Sequence, residues 1–260
     1  MKRSTQIGIA SGAIVLLLGI GMGWILSRAE KYPDGLSIKA FDSYWTVESE
    51  SPDYRVEFIG EGVEILAPKG LTLWYRKPLE GDGVIEFDAR VMLEREGDRL
   101  SDLNCFWMAS DPAAEDVFAR MEARGGVFKN CSTLQLYYVG MGGNYNSTTR
   151  FRRYNGMPDP PLLQEYTDPA HLLEANRWYH IKLVCSTPSV MAGSDPSVMA
   201  GGDPSVMAGG DRPSMRVQYW RDGELLFDYT DPEPLTRGWF GFRTTLSRTQ
   251  FKGFKYTPTN

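Results

Sequence analysis

Apolar and polar residues alternate over short stretches along most of this chain. In GVIEFDARVML, Ile85, Phe87, Ala89, Val91 and Leu93 fall on every second position. That is the period of a strand with one buried face. YRVEFIG, VEILAP and LTLWYR follow in quick succession, separated by glycine and proline. LNCFWMA is apolar on both faces, which predicts a central strand. LQLYYVG, TRFRRY, WYHIKLVC, MRVQYWRDG, ELLFDY, GWFGFRT and QFKGFKY complete the set, and Asp222-Gly223 is a hairpin turn signal. Helical patterning is confined to 113–123 and 169–175. Many short strands with regular turn signals predict an all-β fold, a sandwich or a barrel.

Two segments stand outside this pattern. Lys2 and Arg3 precede an uncharged run from Ile7 to Leu26, long enough to cross a bilayer as a helix. The basic residues in front are expected to stay cytoplasmic, so everything after Arg28 would be exported. A cleavable signal peptide would carry a shorter apolar core and a small-x-small site, whereas WILSRAEK offers only Ser27 and Ala29 around an arginine. The expectation is a signal anchor or transmembrane helix over 1–30. It would hold a domain over 31–260 to the inner membrane, on the periplasmic or cell-surface side. The second segment is a tandem repeat, PSVMAGSD-PSVMAGGD-PSVMAGGD, from Pro188 to Asp211. An eight-residue unit is too short for a solenoid module, and its Pro, Gly and Ser content predicts an expanded hairpin loop.

Of the 260 residues, 42% are hydrophobic and 23% charged, which fits a folded domain rather than a disordered chain. The net charge of −5 argues against nucleic acid as a partner. Cys105, Cys131 and Cys185 form neither a zinc pattern nor a redox pair. Cys185 shares the buried phase of its strand, and a Cys105–Cys131 disulfide is left open.

The motifs GVIEFDARV, WYHIKLV, VQYWRDGELLFDY and GWFGFRTT resemble those of the concanavalin A-like jelly-roll superfamily. More narrowly, DRLSDLNCFWMASDP, YYVGMGGNYNSTTRFRRY and GWFGFRTT resemble a bacterial family of such domains of unsettled function, associated with polysaccharide utilisation. The resemblance runs from about Tyr32 to the C-terminus, apart from the repeat. It implies a concanavalin A-like jelly-roll β-sandwich that takes a polysaccharide or oligosaccharide, as hydrolase, lyase or lectin. One hydrolase branch of the superfamily carries two glutamates as E-x-D-x-x-E. Here Glu86 and Asp88 fit but Val91 stands in the second glutamate's place, which argues against that mechanism.

MGGNYNSTTRFRRY, residues 141–154, raises the sharpest chemical question. It opens as a Gly/Asn turn and runs into a strand on which Arg150, Arg152 and Tyr154 share one face. Arginine binds carboxylates through two parallel charge-assisted hydrogen bonds, so a uronic acid is the natural ligand in a sugar-active fold. The bland alternative is an exposed face paired to acidic residues of the next strand. If the preceding strand forms a hairpin with this one, Tyr137 or Tyr138 must neighbour the arginines. β-Elimination of a uronide needs a carboxylate neutraliser, a base and an acid. Arg150, Arg152, Tyr138, Tyr154 and His171 are the candidates for that chemistry, with Asn144 and Asn146 as substrate ligands. Asp98, Arg99, Asp102 and Asn104 crowd into GDRLSDLN, either a substrate or calcium site or an internally bonded turn. Arg243, at the end of GWFGFRT, is expected to reach the same cleft. No resident cofactor is implied beyond that calcium, and two functions stay open: a carbohydrate-active enzyme, lyase before hydrolase, or a non-catalytic glycan-binding module.

Overall fold

The computed structural model describes residues 43–60, 62–188 and 214–259. The run 7–26 and the repeat, apart from Pro188, lie outside the described residues. Among the described residues no helix is long and apolar enough to cross a membrane. The chain divides into Met1–Tyr44 and Trp45–Asn260, and the strands described below belong to the second unit.

Thirteen strands are described: β1 (Trp45–Ser49), β2 (Arg55–Ile59), β3 (Gly62–Tyr75), β4 (Leu79–Glu80), β5 (Gly83–Met92), β6 (Leu103–Ser110), β7 (Gln135–Gly142), β8 (Thr148–Asn155), β9 (Leu162–Tyr166), β10 (Tyr179–Ser186), β11 (Met215–Arg221), β12 (Glu224–Asp231) and β13 (Arg237–Pro258). Every pairing is antiparallel, in the order β12-β11-β10-β5-β13-β6-β7-β8-β9.

Two layers arise because β3 and β13 are long enough to serve both. Gly241 to Thr245 of β13 pair with the second half of β3, and Ser247 to Lys252 with its first half. The register breaks between Thr245 and Ser247, where Leu246 takes a positive φ of 51°. Before the break β13 pairs with β6; after it, with β5. A bulge bends a strand and sharpens its twist, and here it carries β13 from one layer into the other. Pro68, which lacks a backbone N–H, sits at the matching gap in β3.

The layers meet through side chains of alternate phase. Phe151 of β8 lies 5.5 Å from Phe227 of β12, and Trp107 stacks on Phe151 at 5.9 Å. Phe87, Phe240, Phe242 and Phe251 continue this core. Cys105, Cys131 and Cys185 are free and buried. Burial pushes the Cys131 thiol up to about 11 and the Cys185 thiol to about 12.

The outer face of the β6–β7–β8 layer is covered in part by the segment between β6 and β7. Val117, Cys131 and Leu134 pack there with Phe106, Trp74, Trp239 and Tyr138. The helix expected over 113–123 shrinks to one turn, Met121–Arg124. Asp111 and Asp116 accept hydrogen bonds from the backbone N–H groups of Ala113, Phe118 and Ala119, offering this stretch an alternative to helix. The piece expected over 169–175 is a single 3-10 turn, Pro169–His171. The segment is tied down by Arg124, buried against Glu48 at 2.9 Å and Asp111 at 3.5 Å.

Candidate functional site

The remainder of that outer face stays open. Pairing sets two rows of side chains across it. Asn104, Gly140, Arg150 and Glu165 stand opposite one another on β6, β7, β8 and β9. The next row holds Phe106, Tyr138 and Arg152. Arg150, Arg152 and Tyr154 therefore share a face, and Tyr138 is the direct cross-strand neighbour of Arg152. Gly140 leaves the space that this requires, since a Cβ there would lie 2.1 Å from the Tyr138 hydroxyl oxygen. Phe128, 5.6 Å from Tyr138, walls the row from the covering segment.

These residues line a cleft of about 520 Å³, within the usual range for small-molecule sites. Its basic lining consists of Arg99, Lys129, Arg150 and Arg152, and its acidic lining of Asp102 and Asp159. Arg150 is ion-paired with Glu165. Arg152 donates to the Pro160 carbonyl at 2.6 Å and meets no carboxylate among the described residues. Asn104, only 6% exposed, borders the cleft, and its side-chain oxygen has no hydrogen-bond donor. A buried acceptor without a donor costs roughly 1–3 kcal/mol, so this carbonyl calls for one from a ligand or water.

The Gly/Asn turn forms the rim. Asn144, Tyr145 and Asn146 take φ of 53°, 59° and 58° in succession. Asparagine tolerates this left-handed region, whereas for other side chains it costs roughly 1–2 kcal/mol per residue. Gly142 (φ 70°) brings the turn against Leu173, where a Cβ would lie 2.2 Å from a leucine methyl.

Burial pushes the Tyr138 hydroxyl well above its ordinary value. Tyr154 moves the same way, chiefly through burial. Both stay protonated, so neither is a ready base, although either donates a hydrogen bond.

Four expected ligands are placed elsewhere or otherwise engaged. His171 stacks on Tyr166 at 3.8 Å and pairs with Asp168 at 2.7 Å, outside the cleft lining. Asn146 spends both ends of its amide on the Leu173 backbone, at 2.9 and 2.8 Å, and so is a clamp for the turn. Arg243 is buried, bonded to Thr72 and the Gly126 carbonyl, with Phe128 between it and the opening. Asp102 lines the cleft but is held by Arg99 and Ser101. Asp98 is likewise consumed, by Arg248 and two backbone N–H groups. The side chains of GDRLSDLN thus bond partly to one another and partly to other segments, with the Asn104 oxygen left without a donor. Among the described residues there is no group of three or more His, Cys, Asp or Glu placed to hold a metal ion. Asn144 lines the cleft and donates weakly to Thr148 at 3.4 Å. Lys129, Tyr145 and Asp159 also line it; nothing in their local sequence distinguished Lys129 or Asp159, whereas Tyr145 lay within the turn already singled out.

A family model described as "Domain of unknown function (DUF6250)" matches residues 65–254. The chain belongs to the DUF6250 family. The match spans β3 to β13 and so includes every residue of the cleft. No curated protein matches the chain significantly. Among solved structures, the DUF6250 chain is similar to a Bacillus subtilis protein of unknown function with a galectin-like fold. They share 14% identity over 84% of this chain and 90% of that one, with a TM-score of 0.60. A legume lectin-like domain from Entamoeba histolytica matches at 6% identity over 88% and 96%, TM-score 0.53. The carbohydrate recognition domain of Emp46p, in a metal-free form, matches at 12% over 89% and 94%, TM-score 0.52. At these identities the likeness shows the fold: a lectin-like jelly roll.

Proposed function

We propose that the cleft over β6, β7 and β8 binds an acidic glycan, with Arg152 gripping a uronate carboxylate. The observation that carries this reading is the half-buried guanidinium of Arg152, paired with no carboxylate among the described residues and set beside Tyr138. Arg150 contributes less, because Glu165 already neutralises it. The Asn104 oxygen supplies an acceptor for a sugar hydroxyl, and the phenols supply donors. The recognition domain among the similar folds lends support by analogy only.

Binding is favoured over elimination. A lyase needs a base, yet burial keeps Tyr138 and Tyr154 protonated and His171 lies outside the cleft lining. The protein acts accordingly as a glycan-binding module, exported and held at the membrane by the run 7–26.

Uronate-containing polysaccharides are the test, with binding followed by calorimetry and elimination by ultraviolet absorbance. A charge-assisted hydrogen bond is worth about 1.5–3 kcal/mol, so Arg152→Ala is expected to weaken binding tenfold or more. Arg152→Lys recovers little, because lysine lacks the planar fork. Unsaturated product from the parent protein would restore the lyase reading. Unchanged affinity in Arg152→Ala would remove the carboxylate grip.

A further inference from the structure

The rim of the cleft carries an aromatic ring that the fold does not use. Tyr145 is 78% exposed, the highest exposure among the large hydrophobic side chains of the described residues, and it lines the same cleft as Arg152. Its backbone is held in the left-handed region between two asparagines that share it. Asparagine suits that conformation; tyrosine does not, and glycine would relax it. Left-handed residues with a Cβ persist where the surroundings over-determine them, and they cluster at ligand sites. Here the surroundings are explicit. Asn146 clamps Leu173 from both ends of its amide, and Gly142 seats the turn on the same leucine.

Beneath the ring lies the guanidinium of Arg99, 4.9 Å from the ring centroid. Arg99 is itself fixed by Asp102 and by the carbonyls of Thr245 and Leu246. One ring face is therefore backed by a fixed cation, while the side chain as a whole remains open to solvent. A tyrosine with few rotatable bonds, held from behind, loses little entropy when a ligand lies on it.

We infer that Tyr145 is a stacking platform for a further sugar ring of the chain whose carboxylate Arg152 holds. This rests on the proposed glycan-binding reading and deepens it: the ligand is an oligomer spanning at least two rings, one acidic at Arg152 and one offering its C–H face to Tyr145. The Asn104 carbonyl, within the same cleft, accepts from a hydroxyl of the bound chain.

The experiment compares uronate monosaccharides with tetramers of galacturonate, guluronate, mannuronate and glucuronate, binding each to the full chain by calorimetry. Tyr145→Gly is expected to raise the Kd for the bound tetramer about tenfold, equivalent to about 1.4 kcal/mol. It leaves monosaccharide affinity as in the parent and raises Tm, because the left-handed strain is relieved. Tyr145→Trp and Tyr145→Phe keep tetramer affinity. A Tyr145→Gly protein with raised Tm and parental tetramer affinity would overturn the platform while leaving the Arg152 reading intact. If the parent binds none of the tetramers, both fall together. Equal losses for monomer and tetramer would also overturn the platform, since the ring would then act on the first sugar.

Discussion

Arg152 and Arg153 are consecutive, yet the strand turns them to opposite faces and so to opposite tasks. Arg153 points inward to Asp231 at 2.8 Å, which also accepts from Tyr137 at 2.6 Å, and this trio pins the end of β12 under β7 and β8. Removing one partner of a buried pair leaves the other charge uncompensated, at about 3–5 kcal/mol. Arg153→Met is therefore expected to cost about that much in urea unfolding and to leave glycan affinity unchanged, the reverse of Arg152→Ala. This division was legible in the sequence, because a period of two places 150, 152 and 154 together whatever the fold. The partners were not. Glu165 faces Arg150 only through the pairing of β8 with β9, and no local pattern announces that register. The same limit applies to Arg243, inside β13, and to His171, at the end of its 3-10 turn: the direction of each depends on packing by distant residues such as Phe128 and Tyr166.

At the scale of elements, the strand pattern missed the short strands β1, β4 and β9, and it divided the strands that change layers. VEILAP and LTLWYR read as two strands, and GWFGFRT and QFKGFKY as two more, yet each pair is one continuous strand, β3 or β13. A strand passing between layers exchanges its buried face, so the alternation resets at Pro68 and Leu246 and mimics a turn. The crossing is secured by Arg248, buried just beyond the bulge, which binds Asp98 and Glu64. Its guanidinium, with the N–H groups of Glu94 and Arg95, holds the Asp98 carboxyl well below the usual carboxylate range. A carboxyl depressed in the folded state binds its proton more readily once unfolded. Its contribution is thus fully present above the unfolded value near 4 and is lost as pH falls towards the folded one. Asp98→Asn is expected to lower stability at neutral pH and to flatten the decline below about pH 4, both read from urea midpoints across a pH series.

Across the whole molecule, the two layers are knit by strands far apart in the chain, and the open face of one layer is where cleft, arginines and rim converge. The repeat enters elsewhere, between β10 and β11, which pair directly with Ser186 opposite Arg216. Both strands belong to the other layer, joined to β5 and β12, and no repeat residue is needed to complete the ladder. The chain leaves β10 through Thr187, whose backbone N–H and hydroxyl both donate to Asp82 at 2.8 Å, so the exit is anchored independently of the insertion. Replacing 188–214 by Asn-Gly would close β10 and β11 with a two-residue turn suited to their twist. Each doubling of loop length costs about 0.6 kcal/mol, so this shortening is expected to stabilise the domain by roughly 2 kcal/mol. For a domain of this size that corresponds to a Tm higher by roughly 4–8 °C. Glycan affinity should not change, because the cleft lies over β6 to β8. A fall in Tm, or a loss of binding that Arg152 and Tyr145 do not explain, would make the repeat a working part of the domain rather than a loop it carries.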